Sequence, residues 1–539
     1  MTSNIPRISE PQTPPNSPQL AAEGNLGGRK VKVAQPEFGE NRVKVKGVRW
    51  VEIAKKVAVI ALTIISAAVV GFLLGGPLGL CIGATAGAAF VATVALAKCI
   101  LHYINSKNFF RSLPDEGNHK ALLPENAPKV GQYFDAKVRL TETAACGLKW
   151  KKELIAAAEE SIELSVNFAG GSVYREVLEI MDARMSLKPN LKTHMIVSVD
   201  LLEDEDKQAL TSLQAKFGDR FNILITDRHY KLGLDLHTEE NHVKMLVVDG
   251  KYFVGGGTSI HPRFCREQYD PDQDRDNPTA AAKLLSPASK DSDIVGQSPQ
   301  IAQAMRDQFF NLYRLWEMQT TKQPHASRYF VLTGVAGVSQ AFAEDDGQVK
   351  DVRMKVLVSG PEHTGNSAIV RAYKKRILKS KNEIRLANWM FCPPKSIAKA
   401  LEKAAVLNPK LKRIAHLNGM DDTFSWARFA LTHCGRQSYH LVDKVYEYTA
   451  THRMYHKKVA TFDDTHMIIG SFNLGKKSAD YDHEIAFVLK GKEITDLCRS
   501  RLKEDKKLAE RYVPETSVFK SFFTNTVSYV VARAIENFI

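Results

Sequence analysis

A chain of 539 residues is too long for one hydrophobic core and implies two or three domains, and with 44% hydrophobic and 25% charged residues most of it is globular. The formal charge of +14 favours anionic partners, yet a phospholipid surface, nucleic acid and acidic protein all satisfy it. The seven cysteines are odd in number, lie far apart and include no C-x-x-C pair, which excludes a disulfide framework or a zinc module and fits a reducing compartment.

Residues 1–50 are rich in Pro, Ser, Gly and charge, as in P-Q-T-P-P-N-S-P, with too few large apolar residues to build a core. A disordered tail is expected there. The extreme N-terminus lacks the basic, apolar, small-residue order of a cleaved signal peptide.

From Val57 to Ala97 no charged residue occurs, and Gly75, Gly76, Pro77 and Gly79 interrupt the middle of the run. A single span needs about 20 apolar residues, so a transmembrane helical hairpin is expected over residues 57–98. The alternative is a buried soluble hairpin. Glycines at 71, 75, 79, 83 and 87 would leave one face flat enough for close helix contact. Lys55 and Lys56 before the run, with Lys98 and Lys107 after it, put both flanks on the cytoplasmic side by the positive-inside rule.

From about residue 130 the chain repeats itself. Residues 149–168 and 371–390 each read as a basic amphipathic helix running into a short apolar strand. A second helix follows in each (Tyr174 to Met185; Ser396 to Val406), then a second strand (Thr193 to Asp200; Lys412 to Leu417). The pattern is α/β, expected as two lobes at residues 130–325 and 350–513. Within the first lobe residues 263–292, with D-P-D-Q-D-R-D-N-P, form a polar, turn-rich insertion that reads either as a lid or as a disordered loop. Residues 514–539 read as an apolar C-terminal helix, for core packing or for an interface.

Each lobe carries one chemical stretch. N-H-V-K-M-L-V-V-D-G holds His242, Lys244 and Asp249; H-K-K-V-A-T-F-D-D holds His456, Lys458 and Asp463. On a strand, residues two apart share a face and residues seven apart do not, so each His points with its Lys while the Asp points away. An imidazole can attack phosphorus or protonate a leaving oxygen, and an adjacent ammonium can hold the phosphoryl oxygens. Neither H-T-E-E-N-H at 237–242 nor H-R-M-Y-H at 452–456 is H-E-x-x-H, and on a strand His237 and His242 fall on opposite faces, so no metal or other cofactor is expected. His242 to His456, Lys244 to Lys458, Asp249 to Asp463 and Ser259 to Asn473 are each 214 positions apart, which argues duplication.

The doubled H-x-K-x4-D resembles the phospholipase D superfamily. Gly470, Ser471, Phe472 and Asn473 match that family's G-S-x-N turn, and Glu484 stands where the family places an acid on a following strand. In the first copy the equivalents are Gly256, Gly257, Thr258 and Ser259, so a Ser replaces the Asn, and Asp293 reads as the counterpart of Glu484. The resemblance implies two pseudo-symmetric α-β-α lobes sharing one site. It implies His242 as nucleophile, His456 as acid and base, Glu484 and Asp293 as orienting acids, and Asp249 and Asp463 as chiefly structural. It further implies that Lys244, Lys458 and Asn473, with Ser259 in the Asn position, bind the phosphoryl group.

A hairpin followed by two such motifs also resembles bacterial cardiolipin synthases, and the implied substrate is phospholipid at a membrane, with water or a small alcohol as acceptor. Hydrolase and transferase stay open. A nuclease-type phosphodiesterase on DNA or RNA and a non-catalytic membrane scaffold are the alternatives. An integral membrane protein with cytoplasmic catalytic lobes is expected, or else a protein secreted into a host-cell membrane by an intracellular bacterium.

Overall fold

A computed structural model describes residues 131–227, 229–231, 237–265, 289–321, 348–361, 367–419, 435–449 and 454–513. The predicted tail, the transmembrane hairpin at 57–98, most of the insertion at 263–292 and the helix at 514–539 lie outside the described residues. Among the described residues no helix is long and apolar enough to cross a membrane.

The strands, in chain order, are β1 (Phe134–Leu140), β2 (Ser161–Val166), β3 (Lys192–Ser198), β4 (Phe221–Thr226), β5 (His229–Lys231), β6 (His237–Glu239), β7 (Met245–Val248), β8 (Tyr252–Gly256) and β9 (Asp293–Gln297). The second set is β10 (Lys350–Ser359), β11 (Glu383–Asn388), β12 (Lys412–Asn418), β13 (Lys444–Tyr448), β14 (Lys458–Phe462), β15 (His466–Gly470), β16 (Glu484–Lys490) and β17 (Ala509–Arg511). The hairpin β5–β6 stands apart. The other fifteen form one sheet in the order β17-β13-β12-β11-β14-β15-β16-β10-β1-β9-β8-β7-β2-β3-β4.

Leaving out β17, this order reads the same from both ends, seven strands to a side. Its centre is the antiparallel pairing of β1 with its own counterpart β10, centred on Ala136 opposite Val352. In each half three strands run parallel (β2-β3-β4; β11-β12-β13), because helices carry the chain back between them. The crossover helices are Gly171–Leu187 and Asp204–Phe217 in the first half and Lys395–Leu407, between β11 and β12, in the second; Ala144–Ala157 and Ala368–Lys379 precede β2 and β11. The helices at Gly171, Ala368 and Lys395 start within three residues of the expected positions, Ala144 starts five residues ahead of the run at 149–168, and Asp204–Phe217 is not among the expected helices. Hydroxyl caps mark two of the starts, where Cys146 N–H donates to Thr143 Oγ1 at 3.2 Å and Val370 N–H to Ser367 Oγ at 3.3 Å.

Both faces of the sheet are covered. On one face each half keeps its own core, around Leu164, Leu246 and Tyr174 in the first and around Leu386, Ala460 and Tyr373 in the second. On the other face a single core runs across the centre, where Trp316 and Phe309 of helix Pro299–Thr321 and Leu502 of helix Lys492–Lys507 join Phe253, Met354 and Phe487. Gly255 lets the halves touch, since a Cβ there would collide with the Phe487 ring. A shared apolar core fixes the halves in one register, which a two-part site requires.

Candidate active site

The motif strand begins later than the spacing suggests. β7 starts at Met245, so His242 and Lys244 lie in the extended segment leading into it, and β14 starts at Lys458 itself. Each ammonium turns back on its own segment: Lys244 Nζ donates to His242 O at 3.2 Å, and Lys458 Nζ to His456 O at 2.9 Å. In each half the Asp closes the far end of the strand, at φ 53° (Asp249) and 52° (Asp463), in the left-handed region. Asp249 accepts from the N–H groups of Glu159, Glu160 and Ser161 (closest 2.7 Å), and Asp463 from those of Lys381, Asn382 and Glu383 (closest 2.7 Å). Both carboxylates therefore anchor the start of β2 or β11 at the end of the sheet away from His and Lys. Their hydrogen bonds go to these backbone groups and none goes to the imidazoles, as the chiefly structural role implies.

The two motifs are laced together by backbone. His242 N–H donates to His483 O (3.0 Å) and His483 N–H to Glu240 O (3.0 Å); His456 N–H donates to Lys290 O (2.8 Å) and Lys290 N–H to Met454 O (2.9 Å). The two sets are related by the pseudo-two-fold, and each joins a motif to the segment entering the other half's last strand. This crossing brings each acid to the other half's imidazole. His242 Nδ1 lies 3.0 Å from Glu484, and His456 Nδ1 lies 2.7 Å from Asp291.

Asp293, the acid expected in the first lobe, is not at the imidazole. Its carboxylate takes the buried Lys151 ammonium at 2.5 Å and the Thr258 N–H at 3.0 Å. The strand register explains the difference: Gly256 faces Asp293 across β8 and β9, whereas Gly470 faces Ala486 across β15 and β16. Asp293 thus corresponds to Ala486, and Asp291, two residues earlier, corresponds to Glu484. The D-S-D spelling was the available signal, but residues two apart share a strand face, so alternation could not choose between them. Gly257 leaves room for Asp291, because a Cβ there would strike its carboxylate; at the equivalent place in the other half, Ser471 Oγ donates to Glu484.

The surroundings set the charges. Burial pushes the Glu484 carboxyl up to about 7, with Lys244 and the Ser471 hydroxyl pulling the other way. Asp291 is equally buried, but the His456 imidazole, its hydrogen bond and Lys458 outweigh burial and hold it below the usual carboxylate range. Burial lowers Lys244 to about 8 and Lys458 to about 7, the latter also repelled by Lys244. His242 is held well below its ordinary value by burial and then Lys244, and His456 falls to about 4 through burial and Lys458. Both lysines repel both imidazoles, so all four side chains share one electrostatic site. These shifts favour the neutral form of both rings, and Lys458 Nζ stands 3.0 Å from His456 Nε2.

The two flanks differ. Beside His242 a buried trio, unforeseen from sequence, joins Lys477 to Glu240 and Asp482. Beside His456 stand the rings of Phe264 (5.6 Å between centroids) and Trp389 (5.8 Å). Asn473 Oδ1 and Ser259 Oγ, which the sequence resemblance assigns to the phosphoryl group, are buried and find no hydrogen-bond partner within the protein. Two imidazoles, each oriented by a carboxylate and each beside an ammonium, form a constellation suited to displacement at a phosphodiester.

Residues 373–506 match the family model described as cardiolipin synthase, PLD-like domain. Over 78% of this chain and 100% of the other, the fold is similar to phosphatidylserine synthase from Haemophilus influenzae Rd KW20, with a TM-score of 0.55 at 11% identity. A further similarity is to Nuc, a phospholipase D family member from Salmonella typhimurium, with a TM-score of 0.25 at 22% identity over 30% of this chain and 98% of that one. No curated protein matches the chain in sequence.

Proposed function

We propose that this protein is a membrane-anchored phosphodiesterase or phosphatidyltransferase acting on phospholipids through a phosphohistidine. The observation that carries the reading is the crossed pairing of His242 with Glu484 and His456 with Asp291. A carboxylate accepting the Nδ1 proton leaves the Nε2 lone pair free for attack, and it also supports the imidazolium that a general acid needs.

In the proposed cycle an anionic phosphodiester lies between Lys244 and Lys458. Its charge draws Lys458 away from His456 Nε2 and offsets the repulsion that keeps His456 neutral, so His456 takes up a proton. His242 Nε2 attacks phosphorus; the N–P bond forms as the P–O bond to the departing alcohol breaks, and His456 Nε2 gives that oxygen its proton. Water or an acceptor alcohol then gives a proton to His456 Nε2 as its oxygen bonds phosphorus and the N–P bond breaks. This returns His242 unmodified. Two lysines supply the cationic charge that a metal brings elsewhere.

The Asp291 pairing supports His456 as the acid, because a carboxylate held in its ionised form favours the imidazolium. The uncharged run at 57–97 supports phospholipid over nucleic acid, since an anchor confines the site to a bilayer surface. The PLD-like match at 373–506, described by the name of a phospholipid-synthesising enzyme, points the same way.

The test offers purified protein phosphatidylcholine, phosphatidylglycerol and single-stranded DNA, each with and without a primary alcohol and with and without excess EDTA. A phosphatidyl-alcohol product marks a transferase and free phosphatidate a hydrolase, in either case undiminished by EDTA. Cleavage of DNA alone would overturn the choice of substrate. Loss of activity in EDTA, restored by zinc or magnesium, would overturn the mechanism.

A further inference from the structure

The first half of the site lacks a carboxamide. Asn473 has Ser259 as its counterpart, and a hydroxyl on a one-carbon stem neither reaches as far nor presents an N–H pair. Close by lies Asn167, with no exposed surface and with neither Nδ2 nor Oδ1 bonded to any protein group. A buried carboxamide left unpaired at both ends costs about 1–3 kcal/mol per polar group, so its retention implies a partner outside the protein.

Two independent features place Asn167 at the cleft. The segment carrying it runs beside the turn that carries Ser259: Ala169 bridges Ile260, Ile260 N–H donates to Phe168 O at 2.9 Å, and Gly170 N–H donates to Ile260 O at 3.1 Å. The second half contains the matching bridge, Phe391 to Leu474, and Phe391 is 222 positions after Ala169. The same offset relates Ser161 to Glu383, each the first residue of its strand and each held by its motif Asp. By that offset Asn167 corresponds to Trp389, whose ring stands 5.8 Å from His456. The pseudo-two-fold thus assigns to Asn167 the first-half position that Trp389 fills in the second half.

The local structure does not use this carboxamide. In the second half the turn carrying Asn473 is held by Asn388, which donates from Nδ2 to Phe472 O at 3.4 Å and accepts from Leu474 N–H at 3.2 Å. Val166 stands in the Asn388 position of the first half and can do neither. There the turn is held instead by Asp293, through the Thr258 N–H, and by the Cys265 thiol, which donates to Ser259 O at 2.9 Å. The enclosure of Asn167 matches that of Lys458, which is 1% exposed, and of Glu484, which is fully buried, so burial does not set it apart from the site.

We propose that Asn167 supplies the carboxamide missing at position 259, donating from Nδ2 to a phosphoryl oxygen of the bound phosphodiester. This rests on the phosphodiesterase reading above. The amide has moved from the turn to the adjoining strand end, and the site keeps one carboxamide from each half.

Leucine has nearly the shape of asparagine without its polar atoms, so Asn167→Leu separates the alternatives. Melting temperature, kcat/KM on a phosphodiester and, independently of turnover, calorimetric binding of inorganic phosphate are measured for wild type, Asn167→Leu, Asn167→Ala and the double variant Asn167→Ala with Ser259→Asn. A hydrogen bond to a charged group is worth about 1.5–3 kcal/mol, so both single variants are expected to lose roughly 10- to 100-fold in kcat/KM and to bind phosphate more weakly. Asn167→Leu should melt no lower than wild type, and Ser259→Asn should restore much of the loss in the Asn167→Ala background. A leucine variant with wild-type kcat/KM and phosphate affinity would overturn the proposal while leaving the phosphodiesterase reading intact. So would equal losses in Asn167→Ala with and without Ser259→Asn. A wild-type protein that neither binds phosphate nor cleaves any phosphodiester would overturn both.

Discussion

Replacing Asp291 by Asn tests the acid that the structure, and not the spacing, assigns to His456. The carboxylate is 1% exposed and lies 2.7 Å from Nδ1, so the substitution keeps the shape and removes the charge. A hydrogen bond to a charged group contributes about 1.5–3 kcal/mol, roughly a 10- to 100-fold effect on imidazolium formation. An amide can also present its NH2 to Nδ1, which forces the proton onto Nε2 and idles the base. General acid and base help together are typically worth about 10² to 10⁴, so kcat on a natural phosphodiester should fall by that order.

The assay compares a natural diester with a nitrophenyl diester under stopped flow. The nitrophenolate departs without a proton, so its first turnover should proceed near the wild-type rate, while the steady state falls because His456 no longer activates water. Asp293→Asn is the control. It breaks the buried pair with Lys151 and should lower the melting temperature, with a destabilisation of about 3–5 kcal/mol, and spare the ratio of first turnover to steady state. A fast steady state in Asp291→Asn together with a slow one in a folded Asp293→Asn would refute the assignment.

Three other outcomes are expected, two at the site and one at the apolar run. His456→Ala, given a substrate with a good leaving group, should accumulate a phosphoryl adduct on His242 detectable by mass spectrometry; an adduct on His456 in His242→Ala, with none on His242 in the reciprocal variant, would reverse the two roles. Glu484 keeps its proton to about pH 7 in the fold but only to its ordinary 4.5 when unfolded, so the native state holds the extra proton in that window and this group's contribution to stability falls as pH rises through it. Glu484→Gln should therefore flatten the decline in melting temperature between pH 5 and 8, by an amount worth up to about 3 kcal/mol, while activity drops; an unchanged slope would show that the carboxyl ionises normally. The apolar run at 57–97 should hold the chain in membranes through alkaline carbonate, with residues 1–56 and 99–539 equally accessible to protease on one side of sealed vesicles; release by carbonate, or protection of only one flank, would remove the anchor from the proposal.

Local and periodic features were legible in the sequence alone. Helix starts and strand runs depend on neighbours a few residues away, and the two halves announced their relation because His, Lys, Asp and the residue at 259 and 473 recur at one offset of 214 positions. Side-chain alternation also separated Asp249 and Asp463 from the imidazoles, although the structure supplies a further reason: a left-handed turn at the far end of each strand, with three backbone N–H groups held by one carboxylate. What the spacing could not decide was anything beyond the insertion. Between Ser259 and β9 the offset changes, and only the pairing of β8 with β9 identifies Asp291, instead of Asp293, as the match for Glu484.

The crossing of the acids is likewise a tertiary fact. Glu484 is 242 residues from His242 along the chain and Asp291 is 165 from His456, and no local preference links such positions. The antiparallel pairing of β1 with β10 and the core shared across the sheet carry each half's last strand to the other half's motif. Depressed lysines, a raised Glu484 and a lowered Asp291 arise from that enclosure, because burial and neighbouring charge shift a pKa and residue type alone does not. Sequence determined which imidazoles, ammonium groups and carboxylates the protein has; folding decided which of them face one another and in which direction their pKa values move.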